Sequence, residues 1–167
     1  MSERTELRRA DLIARFRADM ARLLAAVSRI PEQRRGQVIC DGWTVKEILA
    51  HIAAWDREIA RGLDELLAGR RPAFVSYRED EFNAQTAQAS RGKSLADVRA
   101  EVQDAHEQLI SRVERLTDEQ WQQPSAFQWS DQAPMTVASL FGYTYKGQTH
   151  YAGHAAEIEE WARRIES

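Results

Sequence analysis

Gly42-Trp43-Thr44-Val45-Lys46-Glu47-Ile48-Leu49-Ala50-His51-Ile52-Ala53-Ala54-Trp55 opens the second of four helical patterns and decides the fold class. Thr44 is placed to cap a helix N-terminus, and Glu47, three residues on, completes a capping box. Beyond them Val45, Ile48, Leu49, Ile52, Trp55, Ile59, Leu63, Leu66 and Leu67 recur at three- and four-residue spacings, which puts one apolar stripe along a helix. The pattern predicts a helix over 44–68, stopped by Gly69 and Pro72.

Three other stretches share that period. Leu12, Ile13, Phe16, Met20, Leu23, Leu24 and Val27 predict a helix over 6–29 that ends before Pro31. Ser94 as cap and Asp97 in the first turn introduce Leu95, Val98, Val102, Ala105, Leu109, Val113 and Leu116, a helix over 94–116. After Pro134, a fourth stripe of Val137, Leu140, Phe141, Thr144, Gln148, Tyr151, Ala155, Ile158, Ala162 and Ile165 predicts a helix over 136–165.

No stretch alternates apolar and polar residues for long enough to make a sheet, so the chain is expected to be all-α. Four one-striped helices bury their stripes most simply against each other, as a four-helix bundle forming a single domain over 1–167. The long connections argue for up-up-down-down order. Asp80 to Ala89, inside the connection from Gly69 to Lys93, has room for a short extra helix. Loops as long as this one and Asp118 to Ala133 usually cover a site or contribute to it.

Composition narrows the function. Charges of both signs, 23 Lys plus Arg against 26 Asp plus Glu, give a net charge of -3 and are interspersed along the helices. No basic stripe is available for nucleic acid. Met1 to Arg9 lacks the apolar core of a signal peptide and no run reaches membrane-spanning length, so a soluble cytoplasmic protein is expected. Cys40 is the only cysteine, so no disulfide can form within the chain.

The chemistry rests on histidine. His150 and His154 are one turn apart, with side chains stacked on one helix face, a chelating spacing. Both fall at the border of the fourth stripe, on the flank of Tyr143 and Trp161, and His51 holds the matching border of the second helix. If those flanks face each other, three imidazoles converge and leave a position open for water or substrate. Neutral imidazole suits zinc or nickel foremost, with iron, cobalt or manganese as further divalent choices. The bland alternative is a chance pair of core-edge histidines. Glu58 and Glu157 stand where a carboxylate can hold a ligand histidine or take a proton. His106, inside the third stripe, reads as a hydrogen-bonded core residue or a nearby acid or base. Tyr151 follows His150, so no HExxH protease motif is present. Asp56 lies inside the second stripe, where a buried carboxylate needs a partner such as an arginine. Glu79, Asp80, Glu81 and Asn83 make either a solvated helix start or a polar lip, and Cys40 reads as a small buried group.

The segment Gly42 to Ile52 with Trp55, followed by His150 and His154 at the far end of the chain, resembles the DinB-like superfamily over essentially its whole length. Trp55, Phe82, Asn83, His150 and Tyr151 resemble its ClbS-like branch, whose characterised member protects its host from a genotoxin. The resemblance implies an up-up-down-down bundle carrying one divalent metal on His51, His150 and His154, often paired into a homodimer. It also implies the chemistry of metal-dependent hydrolases and thiol transferases.

Two function classes follow. In the first, the metal activates water or a low-molecular-weight thiol toward a small electrophilic substrate, with Glu58, His106 or Glu157 carrying the proton. In the second, the bundle sequesters a small apolar ligand between tryptophan walls without catalysis. Phe74, Tyr77, Trp121, Phe127 and Trp129, outside the main stripes, are candidates to seal a two-fold interface.

Overall fold

The computed structural model describes residues 8–142 and 146–166. The helices are α1 (Arg9–Ser28), α2 (Val45–Leu67), α3 (Glu79–Ser90), α4 (Leu95–Glu114), α5 (Asp118–Gln122) and α6 (His150–Glu166). The described residues contain no strand, and the long helices α1, α2, α4 and α6 form a four-helix bundle. None of the helices is long and apolar enough to cross a membrane.

The caps read from sequence are in place. Glu47 Oε2 accepts the Thr44 backbone N–H at 2.9 Å, and Ser94 Oγ accepts the Asp97 N–H at 3.0 Å. Ahead of α2, Asp41 and Gly42 adopt left-handed φ values of 49° and 80°, a turn that only a residue without Cβ accepts freely at Gly42. That turn swings Trp43 back onto the first turns of α2, where its ring centroid lies 4.9 Å from that of His51.

Helix directions follow from who meets whom. Arg9 donates to the carbonyls of Val113 and Glu114 while Arg99 donates to Ser28 Oγ, so α1 and α4 are antiparallel. Lys46 reaches the Lys93 carbonyl, Arg57 pairs with Glu101 and Arg112 with Asp64, so α2 and α4 are parallel. His51 meets His150 and His154, and Asp56 meets Tyr151, so α2 and α6 are antiparallel. The helices therefore run up, down, down, up, not in the up-up-down-down order that the connections suggested. Only the α2–α4 link serves as a parallel crossover, and α3 carries it back along α2: Tyr77 bonds Glu58, Asn83 bonds Trp55, and the Arg91 carbonyl bonds Lys46. The extra helix expected at Asp80 to Ala89 is α3, and it is a strut of the fold.

The fourth helix departs from expectation. Instead of starting near Thr136, α6 begins at His150, and Ala138–Phe141 forms a 3₁₀ turn. Lys146 and Gly147 both have left-handed φ, 51° and 74°, which no α-helix accommodates in succession. Val137, Leu140 and Phe141 still bury their side chains, with Leu12, Leu63, Val113 and Trp121, from a loop and not from a helix. Tyr143 and Thr144 lie outside the described residues.

Two apolar clusters fill the interior. One joins α1, α2, α4 and α6 through residues such as Leu23, Ile48, Ile52, Val102, Tyr151 and Ile158. The other lies under the 118–142 segment, around Leu63, Leu109 and Met135. The aromatics offered for a two-fold interface are used within the chain: Trp121 is buried, Phe74 and Tyr77 pack on Trp55 and Phe82, and Phe127 and Trp129 lie against the second cluster.

Candidate metal centre

The three expected histidines converge. His51 Nε2 on α2 lies 2.8 Å from His150 Nε2 on α6, which lies 3.2 Å from His154 Nε2. The one-turn spacing stacks His150 and His154, and the antiparallel approach of α2 brings His51 to them at the border of both stripes. His51 and His154 are buried and His150 is half-buried. Burial, followed by the nearby His154 ring, pushes the His51 pKa down to about 3. Burial and then His51 and His154 push His150 well below the usual histidine range. Both rings are therefore neutral at pH 7, the state in which imidazole is a ligand.

Glu157, three residues after His154, accepts a bond at Oε2 from His154 Nδ1 at 2.8 Å. Its other oxygen pairs with Lys146 Nζ at 2.6 Å. With Nδ1–H so committed, a neutral His154 ring presents its lone pair at Nε2. Cys40 joins from the loop before α2: its thiol donates to Glu157 Oε2 at 3.3 Å, and burial together with that carboxylate pushes its pKa up to about 12. The thiol is thus held in its protonated, weakly nucleophilic form near neutral pH, and the small buried group read from sequence is half-buried. Cys40, His154 and Glu157 form a second candidate ligand set that shares His154 with the first.

His51 and His150 sit in the wall of a cavity of about 930 Å³. Its sides are apolar and aromatic, including Phe16, Trp55, Phe74 and Phe141, and Trp129, Ser130 and Asp131 come from the long loop before α6. Both long connections thus contribute to the site; of the polar residues at the start of α3, Glu79 lines the cavity, Asp80 and Glu81 are exposed, and Asn83 bonds Trp55. Asp56 is also in this wall, 5% exposed. Its partner is a phenol and not the arginine expected: Tyr151 Oη donates to Oδ1 and Oδ2 at 2.9 and 3.0 Å. Tyr151 Oη also lies 3.2 Å from His106 Nδ1, so Asp56, Tyr151 and His106 form one buried chain. Burial pushes the Asp56 carboxyl up to about 8, against the Tyr151 bond, and burial lowers the His106 pKa. Glu58 turns elsewhere, bonded to Arg61 and Tyr77.

A family model described as the DinB superfamily matches residues 15–158. The chain belongs to the DinB superfamily. No curated protein matches it. Among solved structures, a protein of Clostridium difficile 630 superposes with a TM-score of 0.76 at 16% identity, covering 97% of this chain and 99% of its own. YfiT from Bacillus subtilis, described as a probable metal-dependent hydrolase with an unusual four-helix bundle topology, superposes at 0.70 with 21% identity, over 99% and 94% of the two chains. A mycothiol-dependent maleylpyruvate isomerase superposes at 0.64 with 13% identity, over 99% of this chain and 62% of that one. Likeness at these identities concerns the fold.

The donor set in this DinB superfamily chain suits a divalent metal. Imidazole nitrogens that share one tetrahedral ion at ordinary Zn–N distances stand about 3.3 Å apart, close to the spacings here. The buried side-chain polar atom with no hydrogen-bond partner among the described residues is His51 Nδ1. Asn83 stands near enough to favour a charged His51 ring slightly, but its Oδ1 takes the Trp55 Nε1–H bond at 2.9 Å. An unpaired buried polar group costs about 1–3 kcal/mol, and a ring whose other nitrogen serves a cation has a reason to bear that cost. Sequence reasoning missed the Cys40 contact and the Asp56–Tyr151–His106 chain, because each joins residues far apart in the chain. Tyr151 sat in the apolar stripe with nothing in its spacing to mark the hydroxyl.

Proposed function

We propose that this chain is a metal-dependent enzyme in which His51, His150 and His154 hold one divalent cation, zinc or nickel foremost, and that it acts on a small, mainly apolar electrophile by hydrolysis or thiol transfer. The observation that carries this is the convergence of three Nε2 atoms, two of them, on His51 and His150, in the wall of a large apolar cavity. When bound, such an ion supplies Lewis acidity that makes water or a thiol nucleophilic near neutral pH. The chain's residues supply the rest: Glu157 fixes the His154 tautomer, the aromatic walls exclude water, and Tyr151 links His106 to the cavity as a path for protons. Glu58 joins only if it leaves Arg61 and Tyr77. The descriptions of YfiT and the mycothiol-dependent isomerase agree with both chemistries. Trp55, Phe82 and Asn83, which carry the resemblance to the ClbS-like branch, form one contact cluster beside the cavity.

The size and apolar lining of the cavity favour one alternative, a protein that sequesters a ligand without turnover. Metal-loaded protein is offered a panel of aryl esters and, separately, monobromobimane with a small thiol. Turnover abolished by His150→Ala supports the enzyme and names its reaction. One bound ion with no turnover in either assay supports the alternative. Pairing into a homodimer is checked by sedimentation at micromolar protein, a monomer mass removing it.

A further inference from the structure

Asp56 is a carboxyl in an apolar stripe, almost wholly buried and bonded to a phenol; the neighbouring Arg57 acts on it only through its charge and pairs with Glu101 instead. The hydrogen-bond donor to Asp56 is Tyr151 Oη, whose single hydrogen reaches both oxygens, so the two contacts at 2.9 and 3.0 Å are one shared bond. Once ionised, this carboxyl would have about four lone-pair sites, and the one hydrogen from Tyr151 leaves most of that capacity for a ligand cation. Asp56 also faces the cavity, among whose described lining residues there is no lysine and no arginine. The ionisable groups there, besides the histidines and Tyr151, are the carboxyls of Asp56, Glu79 and Asp131. Aromatic faces on several sides, Phe16, Trp55, Phe74 and Phe141 among them, complete a surrounding that favours a cation with an apolar body.

We propose that the cavity takes a ligand with an apolar body and a protonated amine, and that Asp56 is the counter-ion that selects it. The proposal rests on the metal-enzyme reading only in making this ligand the substrate. Asp56 follows His51 by five residues, about 7.5 Å along the axis of α2. An amine seated on Asp56 therefore leaves the rest of the molecule to reach toward the histidines. A structural clamp between α2, α6 and α4 would need only the bond to Tyr151, and an uncharged amide would keep it. A carboxyl whose pKa lies near 8 gives up its proton readily when an ammonium arrives, so one proton is released as the ion pair forms.

The test is calorimetric titration of the full-length protein at pH 7 with 2-phenylethylamine, 2-phenylethanol and 3-phenylpropanoate. The amine is expected to bind about tenfold or more tightly than the other two, with the preference lost in Asp56→Asn and kept in wild-type protein stripped of metal by a chelator. Equal or weaker binding of the amine, or no binding at millimolar concentration, overturns the proposal. So does a preference that survives Asp56→Asn or disappears when the metal is removed by a chelator, because amines would then be seated elsewhere or held by the metal. If Asp56→Asn does not fold, titration of the wild-type protein in buffers of different ionisation enthalpy decides: net proton release with the amine and none with the alcohol supports the ion pair, and no release defeats it. Bound metal without amine preference sinks this inference and spares the proposed function, and amine preference without bound metal does the reverse.

Discussion

His51 Nε2 and His150 Nε2 lie 2.8 Å apart although the two residues are 99 positions apart in the chain. The donor set exists only when α2 and α6 are packed antiparallel in this register, so a cation bound there favours the folded state over the unfolded one. Free zinc at a hundredfold excess over its Kd is expected to stabilise the protein by about 2.7 kcal/mol, roughly 5–10 °C in Tm for a chain of this size. Thermal unfolding of metal-free protein with and without zinc checks this. No shift, or an equal shift in His150→Ala, refutes it.

Glu157→Gln should act on two groups at once. Loss of the carboxylate at 2.8 Å from His154 Nδ1 is expected to weaken metal affinity roughly 10–100-fold. The same change removes the negative charge beside Cys40, so the thiol pKa should fall from about 12 and its reaction with a disulfide reagent should speed up at pH 8. Unchanged affinity and thiol reactivity would show that Glu157 governs neither.

Asp56 gives a signed pH dependence. Its folded pKa, about 8, exceeds the ordinary 3.8, so between those values the native state holds a proton that the unfolded chain has released. The slope of stability against pH is therefore negative: this contribution is full below 3.8 and lost as pH rises through 8. From pH 6.5 to 8 wild type should lose up to roughly 1 kcal/mol per pH unit relative to Asp56→Asn. Chemical denaturation at the two pH values measures it, and parallel stabilities would contradict the buried acid.

Gly62 lets Phe74 close against α2. A Cβ there would fall 2.5 Å from Phe74 Cε1 and 3.2 Å from Pro72 Cβ. Although alanine gains up to about 1 kcal/mol in helix propensity, the clash should make Gly62→Ala destabilising by about 1–3 kcal/mol and displace a ring that lines the cavity. A variant as stable as wild type would show that the ring yields without cost.

The sequence showed what local pattern can carry. The capping pairs Thr44–Glu47 and Ser94–Asp97 fixed two helix starts, and the stripes placed three long helices. His150 and His154 were legible as a pair because helical spacing alone stacks them, and His51 because the border positions of two stripes coincide. The fourth helix failed because Val137, Leu140 and Phe141 keep helical spacing while serving a loop. The signal against it was Gly147, whose left-handed φ ends any helix running through it. Helix direction was misjudged because loop length alone does not say which connection is the crossover. Asp56 was recognised as buried, but its partner was not, since Tyr151 reads as apolar until α2 and α6 are seen together.

The most direct test of the account is elemental analysis of protein purified under metal-replete conditions, beside His150→Ala. The account predicts about one divalent ion per chain in the wild type and its loss in the variant, with helix content by circular dichroism unchanged. A wild-type protein that stays metal-free, or a variant that keeps the ion, would contradict it.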